Sequence, residues 1–184
     1  MVQDKRFISA DGLLVDSIRL ARQIHDAGFR PTHIVAVWRG GAPVGIAVQE
    51  YLEYRGLETP HIAVRTASYT GIDEQAPVVR VFGEGYLVDT LNAEDRLLIV
   101  DDVFDSGRSI EALQRVLQEK CRRNYPGEVK VATVYYKPAR NRTGGKPDFF
   151  VEETDDWLVF PHEICGLSED EIRAKGAAGA AVLD

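Results

Sequence analysis

The sequence predicts an α/β fold: a mostly parallel sheet flanked by helices. Three observations lead there. Short apolar runs rich in β-branched residues recur along the chain, and segments of helical spacing lie between them. The 184 residues, 45 % of them hydrophobic, make one soluble domain with a real core the default. Strands that alternate with helices need crossover connections, so they run parallel with helices on both faces.

In order along the chain, residues 11–28 place Leu14, Ile18, Ala21 and Ile24 at helical spacing, with Gly28 as the stop. HIVAVW (33–38) reads as a buried strand that ends at Arg39-Gly40-Gly41. Residues 42–56 form a helix closed by Gly56, and PHIAVRTA (60–67) a second strand. Residues 68–95 are polar and irregular; their fragments VVRVF and YLVDT look β-like, which suggests a hairpin or flap. RLLIVDD (96–102) is a third strand. The helix over 109–124 puts Ile110, Leu113, Val116 and Leu117 on one face. VKVATVYYK (129–137) is a fourth strand, 140–148 a loop, and DWLVFP (156–161) a last short strand. The tail from Ser168 is expected to hold a helical turn or two and then a loose AKGAAGAA.

Bulk properties narrow the function. A net charge of −7 argues against a nucleic-acid or membrane-surface binder. No apolar run approaches a membrane span, and the N-terminus has no signal-peptide core, so a cytoplasmic protein is expected. Cys121 and Cys165 have no metal-type spacing and read as free thiols. The histidines at 25, 33, 61 and 162 are scattered, and His162-Glu163 begins like HExxH but meets Gly166.

In parallel sheets ligands bind beyond the carboxyl ends of the strands. There the chain reads LLIVDDVFDSGRS (97–109). Gly107 permits a tight turn, and the amides opening the next helix, with the Ser106 and Ser109 hydroxyls, suit an anion. Asp101 and Asp102 cannot hold that anion; they suit sugar hydroxyls or a hydrated magnesium ion. Asp and Ser singly are common as caps and turns, but this ordered set after a buried strand points to a sugar-phosphate grip. At the first strand end, Arg39 and the glycine amides suit a diphosphate. Lys137 stands at the fourth strand end as a donor. A Walker-type GxxxxGK[ST] is absent.

The stretch 97–109 resembles the 5-phosphoribosyl-1-pyrophosphate (PRPP) motif of the type I phosphoribosyltransferases: four apolar residues, two acidic, two variable, an acidic or small residue, then Thr/Ser-Gly-x-Thr/Ser. The resemblance spans residues 30–164 or so, and the bacterial and archaeal hypoxanthine and xanthine-guanine enzymes of the 6-oxopurine branch look most similar. It implies a small hood (about 139–167) and a flexible flap (about 68–95) on one domain, with a loose tail (about 168–184). It further implies that Asp101 and Asp102 hold ribose, that Asp105, Ser106, Gly107, Arg108 and Ser109 wrap the 5′-phosphate, and that Asp105 is the acid/base. Arg39 and Gly40, with a cis bond between them, and Ser68 and Tyr69 of the flap would bind pyrophosphate. Lys137, Trp157 and Leu158 would bind the purine, and Glu163 would join Asp101 and Asp102 around Mg2+. Substrates would be PRPP and hypoxanthine or guanine, in a homodimer or homotetramer. The sequence departs from the pattern at Asp101, where many relatives have Glu, and at Arg108, where many have Lys. Two alternatives keep the fold: a xanthine-preferring enzyme, and a non-catalytic PRPP- or nucleotide-binding regulator, against which the acidic charge counts.

Overall fold

The computed structural model describes residues 5–69 and 78–183. The elements are β1 (Lys5–Phe7), α1 (Ala10–Asp26), β2 (His33–Trp38), α2 (Gly41–Tyr54), β3 (His61–Tyr69), β4 (Val78–Phe82) and α3 (Gly85–Thr90). They continue as β5 (Arg96–Phe104), α4 (Arg108–Cys121), β6 (Glu128–Tyr136), β7 (Phe149–Glu153), β8 (Trp157–Val159), α5 (Glu169–Arg173) and α6 (Ala177–Leu183). Six strands form the main sheet in the order β4-β3-β2-β5-β6-β7. All neighbours are parallel except β3 and β4, which form an antiparallel hairpin. No described helix is long and apolar enough to cross a membrane.

Period-two alternation divides the core between the two faces. Ile34, Leu98, Val100, Ala132 and Val134 face α1 and α2; Val35, Val37, Leu97, Ile99 and Val131 face α4 and the short α3. Each such side chain stabilises the fold by about 1.5–3 kcal/mol when fully buried.

The structure corrects the expected face of α1. The buried residues are Leu13, Ser17, Leu20, Ala21 and Ile24, while Leu14 is 55 % exposed and Ile18 also faces out. The run Leu13-Leu14-Val15 leaves the apolar stripe ambiguous, and packing against α2, β6 and β7 selects the other register. A serine fits this face because its hydroxyl donates to the Leu13 carbonyl at 2.6 Å.

Other departures are tertiary in origin. YLVDT is not β-like: it lies within the helix α3, where Leu87 packs into the α4-side core. The segment FFVEE becomes β7 and adds a sheet edge beside β6. The N-terminal Lys5–Phe7 pairs with β8, so a second, two-stranded sheet joins residues far apart in the chain. AKGAAGAA is not loose chain, since α6 occupies it. α5 has a Ser168–Glu171 capping box, and the tail is tied back by Lys5 to Glu171 and by Lys175 Nζ donating to the Phe160 carbonyl at 2.7 Å.

The inside face of α1 can be tested by truncation. Leu20→Ala should cost about 2–5 kcal/mol in urea unfolding, whereas Leu14→Ala should stay within about 0.5 kcal/mol of the parent.

Candidate active site

The sheet register assembles the site. Ala36 lies opposite Val100, so the turn after β2 emerges beside Asp101 and Asp102 of β5. The contact is too close for any side chain. A Cβ on Gly40 would fall 1.9 Å from Asp102 Oδ2, and one on Gly41 would fall 2.6 Å from the Val100 carbonyl oxygen. Glycine is needed here for approach rather than for a left-handed backbone, because Gly40 is helical at φ −64°, ψ −33°. The cis bond joins Trp38 to Arg39, one bond earlier than the resemblance places it. At Arg39-Gly40 the chain has already entered the helical turn, with the Ala42 N–H donating to the Arg39 carbonyl at 3.1 Å. The Arg39 side chain is exposed.

The carboxylate pair is held by main chain. Asp101 Oδ1 accepts the Asp102 N–H at 3.0 Å, and Asp102 Oδ1 accepts the Val103 N–H at 2.8 Å. Burial, and then the Asp102 charge, push the Asp101 carboxyl well above the ordinary aspartate range. His162, for which motif spacing gives no role, brings Nε2 to 3.5 Å from Asp102 Oδ2 and stacks on Phe160. The Glu163 carboxylate is engaged within its own turn, where Oε2 accepts the Phe160 N–H at 2.9 Å. Among the described residues no three His, Cys, Asp or Glu side chains gather as a metal cage. Two adjacent carboxylates still fit a magnesium ion that takes its other ligands from substrate and water.

Beyond the pair, Asp105, Ser106, Gly107 and Ser109 border a small pocket of about 70 Å³ at the start of α4. Gly107 does require glycine's conformational freedom: its φ is +79°. A Cβ there would also fall 2.4 Å from Thr143 Oγ1 and 2.8 Å from the Phe104 ring. The first amides of a helix have no intrahelical partner, so this end of α4 offers donors to an anion. The Arg108 N–H points to Ser106 Oγ at 3.5 Å, and Arg108 and Ser109 are half-buried.

The hood loop is laced to this turn. The Lys137 N–H donates to the Phe104 carbonyl at 2.9 Å, and the Arg142 N–H to the Ser106 carbonyl at 3.0 Å. Lys137 is only 5 % exposed. Burial lowers its ammonium pKa, against the pull of Asp105, Asp155 and Asp156. Between the two bonds, Arg140 extends Nε to 2.9 Å from Asp105 Oδ1. Sequence reasoning misses Arg140; the only local cue is its place three residues after Lys137 in KPAR. Trp157 opens β8 and is 47 % exposed, and Leu158 is buried opposite Arg6 of β1. Ser68 is exposed on β3 three residues past Arg65, the partner of Trp38, so its backbone overhangs the strand ends by about 10 Å at the usual strand rise. Tyr69 ends β3, but its side chain and residues 70–77 lie outside the described part.

A carboxylate pair, a small pocket at the start of α4 and a glycine turn meet at the carboxyl end of the parallel sheet, where α/β proteins of this layout bind their ligands. The chain belongs to the phosphoribosyltransferase family: residues 9–168 match the phosphoribosyl transferase domain. Its relatives place it in the 6-oxopurine branch. It is 28 % identical over 141 residues to a xanthine-guanine phosphoribosyltransferase of Cereibacter sphaeroides, covering 71 % of this chain and 68 % of that one. It is 30 % identical over 170 residues to the human hypoxanthine-guanine phosphoribosyltransferase, covering 87 % of this chain and 74 % of that one. A purine phosphoribosyltransferase from Pyrococcus horikoshii shares the fold with a TM-score of 0.66 at 24 % identity, over 90 % of this chain and 97 % of that one.

Two variants probe the close contacts. Gly40→Ala must displace Asp102 or the turn, and overpacking of this kind should cost about 1–3 kcal/mol in urea unfolding. Asp101→Asn tests the raised carboxyl. A carboxyl pKa raised on folding means the folded protein holds the proton more tightly, so stability falls as pH climbs from the ordinary aspartate range through the raised value. Asp101→Asn should therefore have the higher Tm at pH 8, with the gap closing toward about pH 3 in a thermal unfolding series.

Proposed function

We propose that this protein is a purine-salvage transferase that moves ribose 5-phosphate from PRPP to a 6-oxopurine, hypoxanthine or guanine, releasing pyrophosphate. The observation that carries this reading is the anion pocket at residues 105–109 directly beside the Asp101–Asp102 pair. The pocket takes the 5′-phosphate, with Ser106 and Ser109 hydroxyls and the Gly107 turn around it, and Arg108 adds a cation. Asp101 and Asp102 accept from the ribose hydroxyls and would hold a hydrated Mg2+. Arg39 and the Gly40 amide take the diphosphate, and the β3–β4 hairpin, with Ser68 and Tyr69, closes over it. When bound, magnesium neutralises the diphosphate.

Lys137 donates to the purine 6-oxo group and Trp157 stacks on the ring, with the Leu158 backbone at its edge. The bond from ribose C1 to the pyrophosphate oxygen breaks, the purine N9 lone pair bonds to C1, and the N7–H proton passes to Asp105. The protein contributes position and fixed charge more than covalent chemistry. Glu163 is the third carboxylate that would hold magnesium, while its Oε2 accepts the Phe160 N–H. Exposure of Trp38 and Ile46 near the glycine turn fits a homodimer or homotetramer. We place the protein in the cytoplasm.

An assay of pyrophosphate release with PRPP, Mg2+ and each of hypoxanthine, guanine, xanthine and adenine tests the reading. Turnover is expected with 6-oxopurines. Adenine should fail, because its amino group presents a donor to the Lys137 donor. Asp105→Asn should lower kcat by about 10²–10⁴ while PRPP affinity changes little. Absence of turnover with every base would overturn the assignment.

A further inference from the structure

Arg140 has no place in the reading above, yet it makes the direct side-chain contact to the proposed acid/base. Its Nε lies 2.9 Å from Asp105 Oδ1. The arrangement is built by the backbone on both sides: Lys137 N–H bonds to the Phe104 carbonyl and Arg142 N–H to the Ser106 carbonyl. Phe104 and Ser106 flank Asp105, and residues 137 and 142 flank Arg140, so the two side chains are brought face to face by main-chain bonds. The short 3-10 turn Pro138–Arg140 shapes the intervening chain, with the Arg140 N–H returning to the Lys137 carbonyl at 3.2 Å.

We propose that Arg140 is a positioning residue: it anchors one oxygen of Asp105 beside the Lys137 ammonium and leaves the second oxygen to meet the purine. The closest approach runs from Nε to one carboxylate oxygen, Oδ1. Both partners are partly exposed, with side chains 48 % and 35 % accessible. A pair of that kind adds little to stability. Its value lies in fixing where the carboxylate points, since a small displacement of a reacting group costs rate steeply. The contact also bears on Lys137. Asp105 from the turn before α4, Arg140 from the 3-10 turn, and Asp155 and Asp156 from the chain between β7 and β8 all act on that ammonium. Arg140 opposes those carboxylates there, so one guanidinium both orients the base and lowers the proton affinity of the donor beside it.

The inference rests on the proposed transfer reaction, and the experiment separates the two. Arg140→Ala and Arg140→Lys are compared with wild type in steady-state kinetics, thermal unfolding and an NMR titration of the Lys137 Cε signal in ligand-free protein. Expected for Arg140→Ala are a fall in kcat of about tenfold or more, a KM for PRPP within about twofold and an unchanged Tm. Arg140→Lys should recover most of the lost kcat. Removing a cation should move the Lys137 titration to higher pH in Arg140→Ala. Wild-type kcat in Arg140→Ala would overturn the inference, as would a loss of kcat that tracks a fall in Tm. If wild type transfers ribose phosphate to no base, the transfer reading fails by itself. The Lys137 titration then decides the inference, and an unmoved signal in Arg140→Ala overturns it.

Discussion

The contact of the Gly40-Gly41 turn with the Asp101–Asp102 pair is the constraint on which the site depends. β2 ends level with Asp102 of its parallel neighbour β5, and at Gly40 and Gly41, just beyond β2, there is no room for a side chain. The turn can therefore lie directly on the carboxylates, and α2 starts at once behind it. Any larger residue would push the turn away from the pair and open the gap that a diphosphate-bearing sugar is proposed to bridge. Close approach, rather than an unusual backbone angle, is what glycine supplies at these positions.

The second joint lies on the other side of β5. Gly107 turns the chain into α4 against Thr143 and the Phe104 ring, and the hood loop answers with two main-chain bonds to residues 104 and 106. Two main-chain bonds thus tie the turn at 105–109 to the loop after β6. They bring Lys137, Arg140 and Asp105 together from segments more than thirty residues apart.

Electrostatics set stability and binding against each other. Desolvation, and then the neighbouring Asp102 charge, raise the Asp101 carboxyl in the ligand-free protein. The sugar diol or divalent cation proposed to bind there would relieve that penalty. The proposed binding energy is partly the release of a penalty built into the fold, which is a common feature of functional sites.

The motif 97–109 was legible because its parts are local: a buried strand, two acids, a turn glycine and a helix start in one run. The parallel α/β layout was legible from alternating periods for the same reason. What the sequence could not convey is distance across the chain. β1 pairs with β8, His162 meets Asp102, and Arg140 meets Asp105 only after folding. The face of α1 was not legible because three apolar residues in a row satisfy two registers, and only packing chooses between them. By itself the sequence determined which segments are strands that end in chemistry, since hydrophobic period and turn residues act over a few positions. The tertiary structure alone decided which of those chemical groups touch, because contact between distant residues is set by sheet order and packing.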